Sequence, residues 1–190
     1  LARHAQRAAI LNAGDGNHAH PTQGLLDALT IRDRHPDPTS LKVVICGDIR
    51  HSRVARSDVH VLKTLGVAEV RLCGPAALMP DASELQACPR FDSFDEAIEG
   101  CDAVIMLRLQ KERMVAGLAG SESEYFQRFG LNAARLRRAN SEAMVLHPGP
   151  MNRGVEIAPE VADGPQSCVL RQVANGIPVR MAVLATLLEG

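Results

Sequence analysis

Asp102-Ala103-Val104-Ile105-Met106-Leu107 runs without a break into Arg108-Leu109-Gln110-Lys111-Glu112-Arg113, and that junction decides how the chain is read. The first six residues are too continuously apolar for a half-exposed strand, so they suit a central parallel strand covered on both faces. Ligands of open α/β sheets bind just beyond the carboxyl ends of such strands, which is where the charged residues fall. In extended chain Arg108 and Gln110 lie two residues apart and point to the same side. A guanidinium fork beside an amide is suited to a small carboxylate. A solvated charged loop is the plainer reading of the same residues.

Working outward, the same strand-then-helix rhythm repeats. Leu41 to Cys46 reads as a buried strand, followed by a helix running to about Leu65 that Gly66 closes. Val67 to Leu72 is a second strand, and Asp81 to Ala87 reads as a short helix. Arg90-Phe91 is a weak edge strand. Ser93 to Glu99 reads as a helix with Ser93 as N-cap and Glu96 three residues on. Lys111 to Ser123, with Gly117 and Gly120, reads as a long loop able to move. Glu124 to Phe129 and Asn132 to Arg138 read as helices, and Ala143 to Leu146 as the last strand. Units of this size imply a parallel, doubly wound α/β sheet of Rossmann-like type. The tail, Gln166 to Leu188, reads as an amphipathic helix to which Pro178 is the main objection.

Upstream, Ala9 to Asn12 reads as a short buried strand, and Gly14 and Gly16 as turn residues. Pro21 then opens a helix in which Leu25, Leu26, Leu29, Ala28 and Arg32 carry the helical spacing. His20 and Gln23 thus stand at a helix N-terminus, whose free donors and dipole favour an anion or a polarised carbonyl. His35 to Ser40 reads as a linker. The chain has no initiator Met and begins in what reads as a helix, Leu1 to Ala8, so a fragment of a longer protein is expected.

Composition excludes several classes. The 190 residues are 46% hydrophobic and 23% charged with a net charge of −1, so no global field recruits nucleic acid or an anionic membrane surface. Cys46, Cys73, Cys88, Cys101 and Cys168 are odd in number and scattered, the pattern of buried reduced thiols in a cytosolic protein rather than of disulfides or zinc. No run reaches the ~18 apolar residues of a membrane span. Gly47-Asp48-Ile49-Arg50-His51 follows a strand but is not GxGxxG, and no P-loop motif occurs. After the last strand, His147-Pro148-Gly149-Pro150 makes a rigid turn. Its prolines keep the carbonyls of Pro148 and Gly149 out of any regular helical ladder.

Four motifs in order, His20-Pro21-Thr22-Gln23, Gly47-Asp48 with His51 to Ser57, Arg108 to Arg113, and His147 to Pro150, resemble the catalytic chains of the aspartate/ornithine carbamoyltransferase family, on its aspartate branch. The resemblance spans essentially the whole chain. The ornithine branch carries a Cys-Leu-Pro turn where this chain has Pro148-Gly149-Pro150. The resemblance implies transfer of a carbamoyl group from carbamoyl phosphate to the amine of L-aspartate, giving N-carbamoyl-L-aspartate and phosphate, in de novo pyrimidine biosynthesis. It implies carbamoyl-phosphate contacts from His20, Gln23, Pro148 and Gly149, with His20 the catalytic donor to the carbamoyl oxygen. It also implies aspartate contacts from Arg53, Arg108 and Gln110, with Glu112 orienting Arg108, and no metal or organic cofactor.

By the same resemblance, residues 1–35 end a carbamoyl-phosphate domain, 36–165 form the aspartate domain, and 166–190 return to the first domain. A cytoplasmic homotrimer of full-length chains is implied. Arg153-Gly154-Val155-Glu156 points to the bacterial branch whose trimers associate with a dihydroorotase-like partner. The family's Ser-Thr-Arg-Thr phosphate loop and its mobile lysine loop do not occur in these 190 residues, so the chain by itself is expected to be inactive. A non-catalytic scaffold or small-molecule-binding relative on the same fold is the competing reading.

Overall fold

Five apolar segments form one sheet in which every neighbouring pair is parallel. They are β1 (Lys42–Cys46), β2 (Glu69–Cys73), β3 (Arg90–Phe91), β4 (Ala103–Met106) and β5 (Met144–Leu146), in the order β3-β2-β1-β4-β5. The computed structural model describes residues 4, 8–81, 85, 87–109 and 120–189. In register, Ile45 of β1 lies between Leu72 of β2 and Ile105 of β4, and Val104 faces Val145 of β5.

The sheet is covered on both faces, which is why β1, β4 and β5 run apolar over their buried residues, whereas β2 alternates partly exposed Glu69 and Arg71 with buried Val70 and Leu72. Val43 and Ile45 pack with Ala55, Val59 and Leu62 of α2 (Arg53–Thr64) and with Ile31 of α1 (Pro21–Arg34). Val44 and Cys46 face the other way, toward Phe94 and Ala97 of α3 (Phe94–Ala97) and Tyr125 and Phe129 of α4 (Glu122–Phe129). This is the doubly wound arrangement expected. Two short helices, α5 (Ala133–Leu136) and α6 (Pro159–Ala162), complete that second layer, and α7 (Val169–Glu189) crosses back over α1.

Local chemistry sets the helix ends. Ser52 accepts from Ala55 N, Ser93 from Glu96 N and Asn132 from Arg135 N, while Ser121 and Glu124 form a full capping box. The box starts α4 two residues earlier than the reading from Glu124, and α5 ends before Arg138. α7 begins at Val169 rather than Gln166 and continues through Pro178. Beside the proline, Arg180 Nη1 donates to Gly176 O at 2.8 Å.

Two expectations are corrected. Ala9 to Asn12 is neither strand nor buried: Ile10 is 48% exposed, and both edges of β1 are already taken by β2 and β4. The helix over Asp81 to Ala87 does not form at its described positions. Asp81 is irregular and Leu85 has φ +53, outside the right-handed helical region; Ala82, Ser83, Glu84 and Gln86 lie outside the described residues. A 3₁₀ turn at Ala76–Leu78, which no sequence signal announced, precedes that stretch. α1 forms as read, but the face it buries is partly polar. Leu25 is 41% exposed, while Thr22, Gln23, Leu26, Asp27, Thr30 and Ile31 turn inward. The helix reading from Leu1 to Ala8 lies mostly outside the described residues.

Candidate active site

The order of strands reverses between β1 and β4, and a cleft of about 400 Å³ opens at the carboxyl ends of those two strands and of β5. Gly47 ends β1 at φ +135. A Cβ there would lie 2.9 Å from Leu107 Cβ and 3.0 Å from Leu107 O, so only glycine lets the ends of β1 and β4 come this close. Asp48 follows, buried. Its Oδ1 accepts from His51 N at 3.2 Å and meets His51 Nδ1 at 2.8 Å, folding the loop back so that Ser52 caps α2.

Arg53 is consequently the first residue of α2. A cation at the positive end of a helix dipole is disfavoured unless an anion joins it. Arg108 sits immediately past β4, exposed to the cleft. Among the described residues neither guanidinium has a carboxylate partner.

α1 delivers His20 and Gln23 to the same cleft. His20 occupies the N-cap position without a side-chain cap, and its backbone N–H donates to Ser57 Oγ of α2 at 2.9 Å. Gly24 permits this approach, since a Cβ would stand 3.1 Å from the Ser57 backbone. His20 Nδ1 is buried and has no partner among the described residues. Burial, and then the charges of Arg53 and Arg180, hold the His20 pKa below its usual value, so the ring is neutral at neutral pH.

The last wall is the turn after β5. His147 is fully buried; Gly149 N donates to its Nδ1 at 2.9 Å, which leaves the ring proton on Nε2, 3.2 Å from Glu156 Oε1. Asn152 N also donates to that carboxylate, and Asn152 Nδ2 donates to Leu109 O at 2.9 Å. The turn carries Gly149 at φ +67 and a cis Gly149–Pro150 bond. Among the described residues no donor bonds the carbonyls of Pro148 or Gly149, which leaves both available at the cleft.

Of the residues expected at a site, His20, Gln23, Arg53, Arg108, Pro148 and Gly149 line this one cleft. Gln110 and Glu112 lie outside the described residues, as does Lys111 to Ala119 of the expected loop. Sequence reading passed over Asp48 and His51, which also line the cleft, and Arg180, whose charge reaches His20 from α7. Arg180 sits in a helix with no local motif, and only the crossing of α7 over α1 reveals it. A second recess of about 200 Å³, between Gln23, Leu26, His147, Gln172, Gly176 and Arg180, lies behind the first.

Two helix N-termini, with two guanidiniums and a pair of carbonyls that have no partner among the described residues, define an α/β domain built for a small anionic ligand that also carries N–H donors. The chain belongs to the aspartate/ornithine carbamoyltransferase family: the model of that family's Asp/Orn binding domain matches residues 39–187. It is 61% identical over 181 residues to the aspartate carbamoyltransferase catalytic subunit of Stenotrophomonas maltophilia, covering 95% of this chain and 57% of that one. The corresponding subunit of Xanthomonas oryzae is 62% identical, with 95% and 58% covered. The chain thus spans a little over half the length of these relatives. Among solved structures, ornithine carbamoyltransferase from Thermus thermophilus superposes with a TM-score of 0.84 at 29% identity, covering 98% of this chain and 61% of that one. Aspartate transcarbamoylase from Trypanosoma cruzi in complex with N-(phosphonacetyl)-L-aspartic acid gives 0.76 at 32% identity, covering 92% and 58%.

Proposed function

We propose that this chain is the aspartate-binding part of an aspartate carbamoyltransferase, which moves the carbamoyl group of carbamoyl phosphate onto the amine of L-aspartate. The observation that carries this reading is the convergence of His20, Gln23, Arg53, Arg108, Pro148 and Gly149, from four separate stretches of chain, on one cationic cleft.

The chemistry follows from the donors and acceptors. Attack of the amine drives negative charge onto the carbamoyl oxygen, and His20, neutral and otherwise unpartnered, supplies an N–H to that oxygen. Donors of this kind are worth roughly 10²–10³ in rate. The carbamoyl NH₂ has two N–H groups and needs acceptors, which Gln23 and the carbonyls of Pro148 and Gly149 provide. Arg53 and Arg108, with Gln110, take the two carboxylates of aspartate and hold its amine at attacking distance. Phosphate leaves with the bonding electrons, and the amine sheds its proton, so positioning and charge stabilisation suffice.

On the same reading, residues up to about 35 and the last helix belong with a preceding carbamoyl-phosphate domain. Support comes from α7, whose Leu170, Val173, Ile177, Met181, Leu184 and Leu188 are all more than half exposed along one apolar stripe. A homotrimer of full-length chains in the cytoplasm, with a dihydroorotase-like partner, completes the proposal; the described helices include none long and apolar enough to cross a membrane.

The test joins this chain to the preceding part of the Stenotrophomonas maltophilia subunit. The chimera should transfer carbamoyl to aspartate and not to ornithine, and the 190 residues alone should not, for want of a phosphate grip. N-(phosphonacetyl)-L-aspartate should inhibit the chimera far more tightly than either substrate binds, because it spans both halves and incurs the association entropy once. A chimera that folds and trimerises without carbamoyl transfer would overturn the reading in favour of a non-catalytic binding protein.

A further inference from the structure

Behind the cleft two acids are buried against each other. Asp27 lies one turn beyond Gln23 on α1 and is 1% exposed; Asp58, on α2, is 0% exposed. Asp27 Oδ1 accepts two amide N–H groups, from Gln23 Nε2 at 3.0 Å and from Gln172 Nε2 of α7 at 2.6 Å. Asp27 Oδ2 and both oxygens of Asp58 are buried and meet no N–H or O–H donor among the described residues, and each acid lies close enough to the other to shift its pKa. Among the described residues no cation faces the pair. Two carboxylates in contact in a dry interior cannot both be ionised, and a hydrogen bond between them requires a proton. Asp27 accepts two amide N–H groups, which favour its ionised form, whereas Asp58 accepts none and burial raises its pKa, so the proton resides on Asp58.

The consequence reaches the site through two amides. An amide whose nitrogen is committed to Asp27 keeps its oxygen for another partner. For Gln172 that oxygen accepts from His147 N at 2.9 Å, at the base of the Pro148-Gly149 turn. For Gln23 the remaining partner is whatever enters the cleft. One carboxylate therefore sets the orientation of both walls that meet a ligand's N–H groups.

We propose that Asp58 donates its carboxyl proton to Asp27, and that this acid pair acts as the positioning node that turns the Gln23 oxygen and the Pro148-Gly149 carbonyls toward the carbamoyl NH₂. The proposal rests on the carbamoyl-transfer reading for its substrate. The pair itself does not touch substrate.

Two measurements test it. In the 190-residue chain near neutral pH, infrared spectra should contain the carbonyl stretch of a neutral buried carboxylic acid, and Asp58→Asn should abolish it. Absence of that band would overturn the shared proton without reference to any activity. In the chimera, Asp27→Ala should raise KM for carbamoyl phosphate about 10-fold or more and lower kcat, because a freed Gln23 amide can present its N–H to another donor, at a cost of one unmade hydrogen bond. KM for aspartate should move less than about twofold. Asp27→Asn keeps an oxygen able to accept from both amides and should restore most of kcat/KM. A purely structural role would lower the yield of folded enzyme and leave KM alone. If the wild-type chimera transfers carbamoyl but Asp27→Ala leaves KM for carbamoyl phosphate unchanged, the node fails and the functional reading stands. If the wild-type chimera transfers nothing, the functional reading fails first.

Discussion

Arg135 and the pair Arg53 and Arg108 share a side chain and little else. Arg135 is 8% exposed and fully engaged: Nε donates to Asp95 Oδ1 at 2.7 Å, Nη1 to Gly130 O and Nη2 to Gln127 O at 3.1 Å, and the guanidinium lies 5.3 Å over the Phe94 ring. Its stem and planar head tie α5 to α3 and to the end of α4. Arg53 and Arg108 stand at the mouth of the cleft, one at the wrong end of a helix dipole, with no carboxylate among the described residues. Folding accounts for the first arginine completely and for the other two not at all. That difference separates residues the fold needs from residues it merely carries, and it can be broken by exchange.

The largest effect is expected at Arg108. Arg108→Lys in the chimera should cut kcat/KM for aspartate by about 10²–10³, roughly 3–4 kcal/mol, because an ammonium cannot reproduce a planar two-donor fork. Thermal stability should hardly change, and carbamoyl-phosphate binding should be near normal. Equal damage to both substrates would show that Arg108 serves something other than aspartate. Arg135→Ala should do the reverse. Losing three hydrogen bonds and the stacked stem leaves the buried Gly130 carbonyl without its donor, a loss of about 2–3 kcal/mol of stability by chemical denaturation. Activity per folded molecule should persist; a fall in kcat/KM at unchanged stability would erase the contrast.

The same contrast marks what was legible in the sequence. β1, β4 and β5 could be read because both faces of the sheet are dry, so each is a continuous apolar run bounded by polar turn residues. The cap at Ser93 was legible because a serine and the third residue beyond it are a local event, whereas Ser121, which caps α4 in the same way, was read as part of the loop before it. Ala9 to Asn12 misled because an apolar run specifies a strand only where an unpaired sheet edge is at hand. The site motifs were legible as single stretches, but their convergence depends on long-range packing. Asp27 and Asp58 are 31 positions apart, and Arg180 reaches His20 from a helix 160 residues away in sequence. A local trace of the acid node existed: Gln23, Asp27 and Thr30 recur at helical spacing between Leu26 and Ile31, so α1 buries a partly polar face.

The buried acids give a smaller, pH-dependent prediction. Burial raises Asp27 to about 6, and burial with its neighbour raises Asp58 further, so the folded chain binds more protons than the unfolded one above about pH 4. Stability should therefore fall as pH rises from about 4 through 6 and beyond, opposite to the usual behaviour of a paired carboxylate. Asp58→Asn supplies an N–H for Asp27 with no proton to hold. It should flatten that slope and add about 1–2 kcal/mol near pH 7.5, with little gain at pH 4. Wild type and Asp58→Asn with the same pH slope by denaturant titration would show that the pair holds no proton, since His20 and the other groups contribute equally to both. Unlike Arg135, which stabilises by satisfying its neighbours, Asp58 would then be a residue whose removal helps the fold.

His20 offers the finest separation between the two kinds of arginine. Its pKa is lowered first by burial, then by the charges of Arg53 and Arg180. Arg53→Ala should raise the His20 pKa while leaving it below 6.5, since the larger cause, burial, remains. The unfolded chain binds a proton at His20 more readily than the folded one, so this residue contributes stability above pH 6.5 that is lost as pH falls toward the folded pKa. Arg53→Ala should narrow that window from its acid side. Arg135→Ala should leave the His20 titration where it was, because none of the groups that lower His20 lies on α5. Following the His20 ring protons by NMR in the 190-residue chain across pH 4.5–8 reads both variants directly. If Arg53→Ala leaves the curve unmoved, the guanidinium does not face His20 in solution, and the cleft is not the single cationic pocket that the proposed carbamoyl transfer requires.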